Sequence, residues 1–258
     1  MNLFAPWRRA LPFTAADGLP ILLYHKVAHY RPGAPAKSHY ISPALFRAHM
    51  SFLARGAYRT VGVGDIVRYL RGEGVGVERP IAITFDDGYD CVYANAFPVL
   101  QEFGFRAIIL VLAGYVGGVN DWEPQRTTVV EPMLQAEHIA EMARGGMEFG
   151  SHGMRHHHLT KLADDDLRAE MTDSKKMLED LSGREVRCIA YPYGDHNERV
   201  RAAAAEAGYV AGCTTARGVN RPGDQVLALK RINVRRHNYL PLFARKLRRA
   251  YGMAGPRA

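Results

Sequence analysis

Short apolar segments alternate with helix-patterned ones along almost all of this 258-residue chain, and no other feature restricts the fold as much. Residues 19–24, 58–61, 80–85, 105–113, 147–150, 186–191, 209–213 and 226–232 read as strands. The run 105–113 is apolar throughout, as expected of a strand buried on both faces. Between them, Ser42 caps a helical pattern that stops at Gly56, and residues 65–71, 89–103, 134–143, 163–181 and 197–206 carry further helices. Asp164, Asp165 and Asp166 open the long helix and complement its dipole. Seven or eight strands separated by helices point to a single α/β domain with a parallel sheet. The length favours closure into a distorted (β/α) barrel of about seven parallel strands. The domain is expected over residues 19–240, with an N-terminal extension at 1–18 and a basic helix and tail at 241–258.

Chemistry gathers where the strands end. In Thr84-Phe85-Asp86-Asp87-Gly88, two adjacent carboxylates follow an apolar strand. Neighbouring strand side chains point to opposite faces, so the pair can serve one pocket only where the chain turns, which Gly88 permits. Two such carboxylates repel each other, and a cation relieves the repulsion. After residues 147–150 comes Ser151-His152-Gly153-Met154-Arg155-His156-His157-His158, dense in imidazole. The four-residue spacing of His152 and His156 predicts one face of a helical turn that holds one ion, with His157 an alternative to His156. One carboxylate with two imidazoles suits Zn²⁺ or a similar divalent ion and leaves positions open for water and substrate. Tyr191-Pro192-Tyr193-Gly194 ends a third strand in a turn that can present a backbone N–H. His25 ends the first. The irregular stretch 114–128 has the length of a functional loop.

Together these segments resemble the polysaccharide deacetylases with a NodB-like domain, a family of metal-dependent carbohydrate esterases. Thr84 to Gly88 matches the family's TFDDG motif. His152 and His156 match its H-[ST]-x-x-H motif, except that Gly153 stands at the hydroxyl position. Tyr191 to Gly194 matches the core of R-x-P-Y. Leu23-Tyr24-His25 and the segment Gly117 to Trp122 are similar to the permuted subgroup that includes poly-N-acetylglucosamine deacetylases. The resemblance implies Asp87, His152 and His156 as ligands of a divalent metal, most often Zn²⁺, and Asp86 as the general base. It implies His25 as the acid for the leaving amine, and the N–H of Tyr193 as an oxyanion donor. Ala190 occupies the place of the arginine that often orients the catalytic aspartate, which leaves Arg231 or no residue to do so.

The expected function is therefore removal of N-acetyl groups from N-acetylhexosamine units of a polysaccharide, oligosaccharide or lipid-linked glycan. Two alternatives stay open: an amidohydrolase for a small linear or cyclic amide, and an inert glycan-binding module. The formal net charge of +8 sits largely near the ends, in Arg8, Arg9, Arg245, Lys246, Arg248 and Arg249. No nucleic-acid recognition motif accompanies it, so a peripheral contact with anionic membrane is expected instead of nucleic acid. Cys91, Cys188 and Cys213 lack metal-type spacing and are expected as reduced, buried thiols. Residues 1–12 are broken by Pro6, Arg8 and Arg9 and contain no secretory apolar core, and no run spans a membrane. The expected location is the cytoplasm or the cytoplasmic face of the membrane.

Overall fold

Strand register alone brings the candidate residues to one end of the molecule. The computed structural model describes residues 13–34, 36–122 and 129–252. Its strands are β1 (Ile21–Tyr24), β2 (Lys26–Val27), β3 (Tyr40–Ile41), β4 (Arg59–Thr60), β5 (Pro80–Phe85), β6 (Ile108–Val111), β7 (Glu148–Ser151), β8 (Cys188–Ala190), β9 (Ala211–Arg217) and β10 (Leu229–Asn233). Seven of them form a closed parallel barrel in the order β1-β10-β9-β8-β7-β6-β5, with β5 pairing back to β1 and β4 added alongside β5. The expected barrel is present. The short parallel pair β2 and β3 is an addition that no period in the sequence announces, because two-residue strands carry none.

The helices are α1 (Pro43–Arg55), α2 (Val63–Leu70), α3 (Phe97–Glu102), α4 (Ala136–Arg144), α5 (Asp164–Ser182), α6 (Glu198–Glu206) and α7 (Leu240–Gly252). Ser42 caps α1 by accepting from Leu45 N, and Asn197 caps α6 by accepting from Val200 N. The helix expected over 89–103 is interrupted. Residues Val92–Ala96 form a π-helical turn before α3, which leaves room for Pro98 at the start of the regular helix.

Alternation along the strands divides the core in two. Leu22, Tyr24, Ile83, Phe85, Ile109 and Ile189 face the surrounding helices, whereas Ile21, Ala82, Leu110, Cys188, Ala190 and Leu229 form an inner cluster shared with α2. Glu148 accepts from Val63 N, which places the start of α2 at the end where the strands begin. The opposite end is thereby left for the side chains that follow the strands. Cys188 and Cys213 are buried as expected, with sulfurs 3.9 Å apart, whereas Cys91 is only half-buried.

The basic segment α7 joins this core. Phe243, Leu247 and Tyr251 are buried in the larger cluster, and the Phe243 ring stacks on His49 at 4.1 Å. His49 Nε2 donates to Asn238 O, and its Nδ1 accepts from Tyr24 OH next to His25. Among the described residues, no helix is long and apolar enough to cross a membrane. Phe243→Ala is expected to destabilise the protein by about 3–5 kcal/mol in denaturant unfolding, with one cooperative transition, as for a cavity cut into the main core.

Candidate active site

Because β1 pairs with β5 through Tyr24 and Phe85, His25 and Asp86 leave the barrel side by side. Val111 of β6 pairs with Ser151, so His152 emerges from the strand beyond β6. A pocket of about 400 Å³ opens at this end. Its lining includes His25, Asp86, Asp87, His152, His156 and Tyr193, so all six expected site residues meet in one cavity.

The two aspartates part in direction at a strained point. Asp87 has φ 76° and Gly88 φ 84°, so the chain leaves β5 through two left-handed residues. A Cβ on Gly88 would lie 3.0 Å from Val111, and so only glycine fits without displacing β6. The turn points Asp86 into the barrel and Asp87 towards the histidines.

Asp86 meets Arg231 of β10. The guanidinium donates from Nη1 to Oδ1 and from Nη2 to Oδ2, both at 2.7 Å. It is fixed in turn by Thr84 Oγ1 at 3.1 Å and by Thr214 O, which accepts from Nε at 2.8 Å. Arg231 is 1% exposed. Burial alone would raise the Asp86 pKa, but the guanidinium, joined by His152 and His25, outweighs it and holds the carboxyl below its ordinary value. Arg231 thus takes the place left open by Ala190, reaching Asp86 from a different strand.

Asp87 faces two imidazoles. His152 Nε2 lies 3.3 Å and His156 Nε2 3.7 Å from its Oδ1. Ligand atoms of the three residues lie within 4.8 Å of one another, the only such group among the described residues. His152 Nδ1 is 2.8 Å from Ala190 O, and a carbonyl can only accept, so Nδ1 carries the proton there. In neutral His152 the Nε2 lone pair therefore confronts a carboxylate oxygen, an arrangement that requires a proton or a cation between them. The donor set fits a divalent metal, with Ala190 O fixing the ligand tautomer in the way typical of such sites.

The titration directions agree with this reading. Burial lowers the His152 pKa, yet the hydrogen bond and charge of Asp87 overcome it and the net shift is upward. Burial would raise Asp87, and His152 brings it below the usual carboxylate range. His156 is pushed down to about 4, mostly by burial and then by the charge of His152. His25 is pushed down to about 3, first by burial and then by His39, whose ring stacks on it at 3.8 Å. The Nδ1 atoms of His25 and His156 are buried with no hydrogen-bond partner.

The histidine segment is not the expected helical turn. Residues 152–158 form an irregular loop in which Gly153 has φ 83° and His156 φ 58°. The loop is held by Glu170 of α5, whose Oε2 accepts from Met154 N at 2.6 Å and Arg155 N at 3.4 Å. His157 turns away from Asp87 to Glu170, 3.1 Å from Oε1, and so is not the alternative ligand that spacing allowed. His158 pairs with Asp195 at 3.3 Å and stacks on the Tyr193 ring at 4.2 Å. Gly153 is where the motif departs from a hydroxyl residue, and Glu170 explains it. A Cβ there would lie 2.8 Å from Glu170 Oε2, on a backbone that side chains rarely adopt.

His39, Glu170 and Asn233 join the site without a sequence signal, since His39 and Asn233 line the pocket and Glu170 holds its loop only once the chain has folded. Trp122 lies in the expected loop and its ring is 5.5 Å from His156, whereas residues 123–128 of that loop lie outside the described residues.

The polysaccharide deacetylase family model matches residues 74–212. The chain belongs to the polysaccharide deacetylase family. YxkH of Bacillus subtilis, named for the same family, is 31% identical over 216 residues, covering 84% of this chain and 71% of that protein. The poly-β-1,6-N-acetyl-D-glucosamine N-deacetylase of Staphylococcus aureus is 24% identical over 171 residues, which are 63% of this chain and 56% of that enzyme. The chain thus matches little more than half of that relative's length. Among solved structures, the Streptococcus pyogenes deacetylase PplD superposes with a TM-score of 0.79 at 25% identity, covering 92% of this chain and 99% of PplD. IcaB from Ammonifex degensii gives a TM-score of 0.74 at 26% identity, covering 90% and 97%. The family is one of hydrolases, and its NodB-like barrel is the fold seen here.

Two outcomes follow from this geometry. A proton on His152 competes with a cation, and its raised pKa extends that competition above the ordinary histidine range. Zn²⁺ affinity measured by chelator competition is therefore expected to rise by about tenfold per pH unit where His152 titrates, releasing one proton. In the cation-free protein the sign is opposite: the His152–Asp87 pair stabilises the fold below pH 6.5 and loses its effect as pH rises through the raised pKa. Gly153→Ala is expected to cost about 1–3 kcal/mol in thermal unfolding and to weaken Zn²⁺ binding by displacing the loop.

Proposed function

We propose that this chain is a divalent-metal-dependent hydrolase that removes N-acetyl groups from N-acetylhexosamine units of a glycan. The observation that carries the reading is the division of two adjacent carboxylates within one pocket. Asp86 is paired with a buried guanidinium, and Asp87 is turned to two histidines. A binding module has no use for a carboxylate held ionised beside a cation site. Membership of the polysaccharide deacetylase family and likeness to a poly-N-acetylglucosamine deacetylase support a glycan over a small amide.

In this reading Asp87, His152 and His156 hold the ion, with Zn²⁺ preferred by the N,N,O donor set. The ion would supply Lewis acidity towards the amide carbonyl and make water acidic enough to lose a proton near neutral pH. Asp86 accepts that proton. Arg231 keeps it a carboxylate and fixes both oxygens, so the accepting lone pair is already oriented. The Tyr193 backbone N–H donates to the developing oxyanion. His25 protonates the departing amine. Burial and His39 push the His25 pKa down, so the proton it passes to the amine is supplied within the cycle by the water proton that Asp86 accepts. Trp122 and the half-exposed Tyr193 offer aromatic surfaces on which a sugar ring can stack.

Acetate release from N-acetylglucosamine oligomers should depend on a divalent metal. Asp86→Asn should lower kcat by about 10²–10⁴-fold with metal content unchanged, whereas Asp87→Ala should lose the metal itself. His25→Ala should lower kcat far more than it changes KM. Full metal content with no acetate released from any acetylated glycan would refute the reading.

A further inference from the structure

The active-site pocket has a neighbour. A second cavity, of about 360 Å³, lies between β9, β10 and α7, and both cavities are lined by Arg217, Asn233 and Arg235. Arg217 and Arg235 thus stand on the wall between the two spaces. The second cavity adds Arg245, Lys246 and Arg249 from α7, which brings five cationic side chains to one concavity with no aspartate or glutamate among the described residues of its lining. Arg231 also borders it, but its charge is already matched by Asp86.

Among the described residues, none of the five lies within 4.0 Å of a carboxylate, whereas Arg47, Arg68, Arg168, Lys175 and Arg199 of the other helices do. Lys246 instead donates to the neutral oxygens Asn233 O at 2.6 Å and Asn238 Oδ1 at 2.9 Å. Its pKa is lowered to about 8, first by partial burial and then by Arg235 and Arg217. Arg217, Arg235, Arg245 and Arg249 are exposed around the concavity and Lys246 is half-buried in it, so like charges repel across one space, and a bound anion relieves that repulsion.

We infer that this cavity is an anion subsite that takes a phosphate group carried by the glycan substrate, one or two sugars from the N-acetyl group under attack. The inference rests on the deacetylase reading of the adjoining pocket. Phosphate is favoured over carboxylate because arginine forks bind its oxygens bidentately, and because five cations exceed what one carboxylate can neutralise. Among the described residues the lining contains no aromatic ring on which a nucleobase could stack. The charges surround a hollow that adjoins the catalytic pocket, whereas attraction to a bilayer calls for a flat or convex basic face.

The test compares di-N-acetylchitobiose 1-phosphate with the neutral methyl di-N-acetylchitobioside, using metal-loaded wild type and the Arg245→Gln/Arg249→Gln double variant. Wild type should prefer the phosphorylated substrate by roughly tenfold in kcat/KM, the effect of one or two charge-assisted hydrogen bonds, and mainly through KM. The double variant should lose this preference while retaining wild-type turnover of the neutral substrate. Inorganic pyrophosphate should compete with the phosphorylated substrate more strongly in wild type than in the variant. Equal inhibition of both substrates, unchanged by the substitutions, would place the anion on the metal centre alone and overturn the inference. So would equal kcat/KM for the two substrates, or binding to phosphatidylglycerol vesicles that is lost in the variant and insensitive to pyrophosphate. Turnover of the neutral substrate without phosphate preference refutes only the subsite. Absence of acetate release from either substrate, with variant-sensitive pyrophosphate binding, refutes only the deacetylase reading.

Discussion

The Asp86–Arg231 pair is the interaction to which the rest of the site is fitted. Burying two ions is expensive, and the cost is met only when geometry and additional hydrogen bonds are both good. Both conditions hold here: the fork is bidentate, and Thr84 and Thr214 accept two further hydrogen bonds from the guanidinium. Ala82, Ala190 and Ala211 of the inner strand cluster are small, leaving space for an arginine inside the barrel. Once Asp86 is held inward, the next residue has to turn outward. The left-handed backbone at Asp87 and Gly88 is the local strain that results, and it delivers the second carboxylate to His152 and His156.

What the sequence revealed was mostly what period and strand ends can carry. Strands with continuous apolar runs, such as that around Ile108–Val111, were legible because burial on both faces leaves a signature in every residue. The convergence of His25, Asp86, Asp87, His152 and Tyr193 was legible because all follow strands of one parallel sheet, whose ends share a side. Contacts between distant segments were not. Spacing of four residues suggested a helical turn for His152 and His156, but spacing says nothing of Glu170, which captures two backbone N–H groups and imposes an irregular loop. His157 is drawn to the same carboxylate for the same reason.

Arg231 stands between these cases. The alanine at position 190 announced a missing cation, and Arg231 was one named replacement, but no local pattern joins it to Asp86. Closure of the barrel does. β1 pairs with β5 on one side and β10 on the other, so a side chain from β10 crosses only one strand to reach the end of β5. The charge of α7 has a similar history. In the sequence it read as a basic tail suited to a surface, whereas in the fold Phe243 and Leu247 anchor the helix and aim Arg245, Lys246 and Arg249 at a hollow beside the catalytic pocket.

The central claim is that Arg231 sets the ionisation of the carboxylate that does the proton transfer. The pH dependence of kcat in Arg231→Met and Arg231→Lys, each with metal content verified, tests it most directly. With the guanidinium gone, burial is the dominant influence left on Asp86 and raises its pKa. The acid limb of kcat should therefore move to higher pH in Arg231→Met, with a smaller displacement in Arg231→Lys, which keeps the charge but not the fork. A folded, metal-loaded Arg231→Met enzyme with an unmoved acid limb and wild-type kcat would contradict the account.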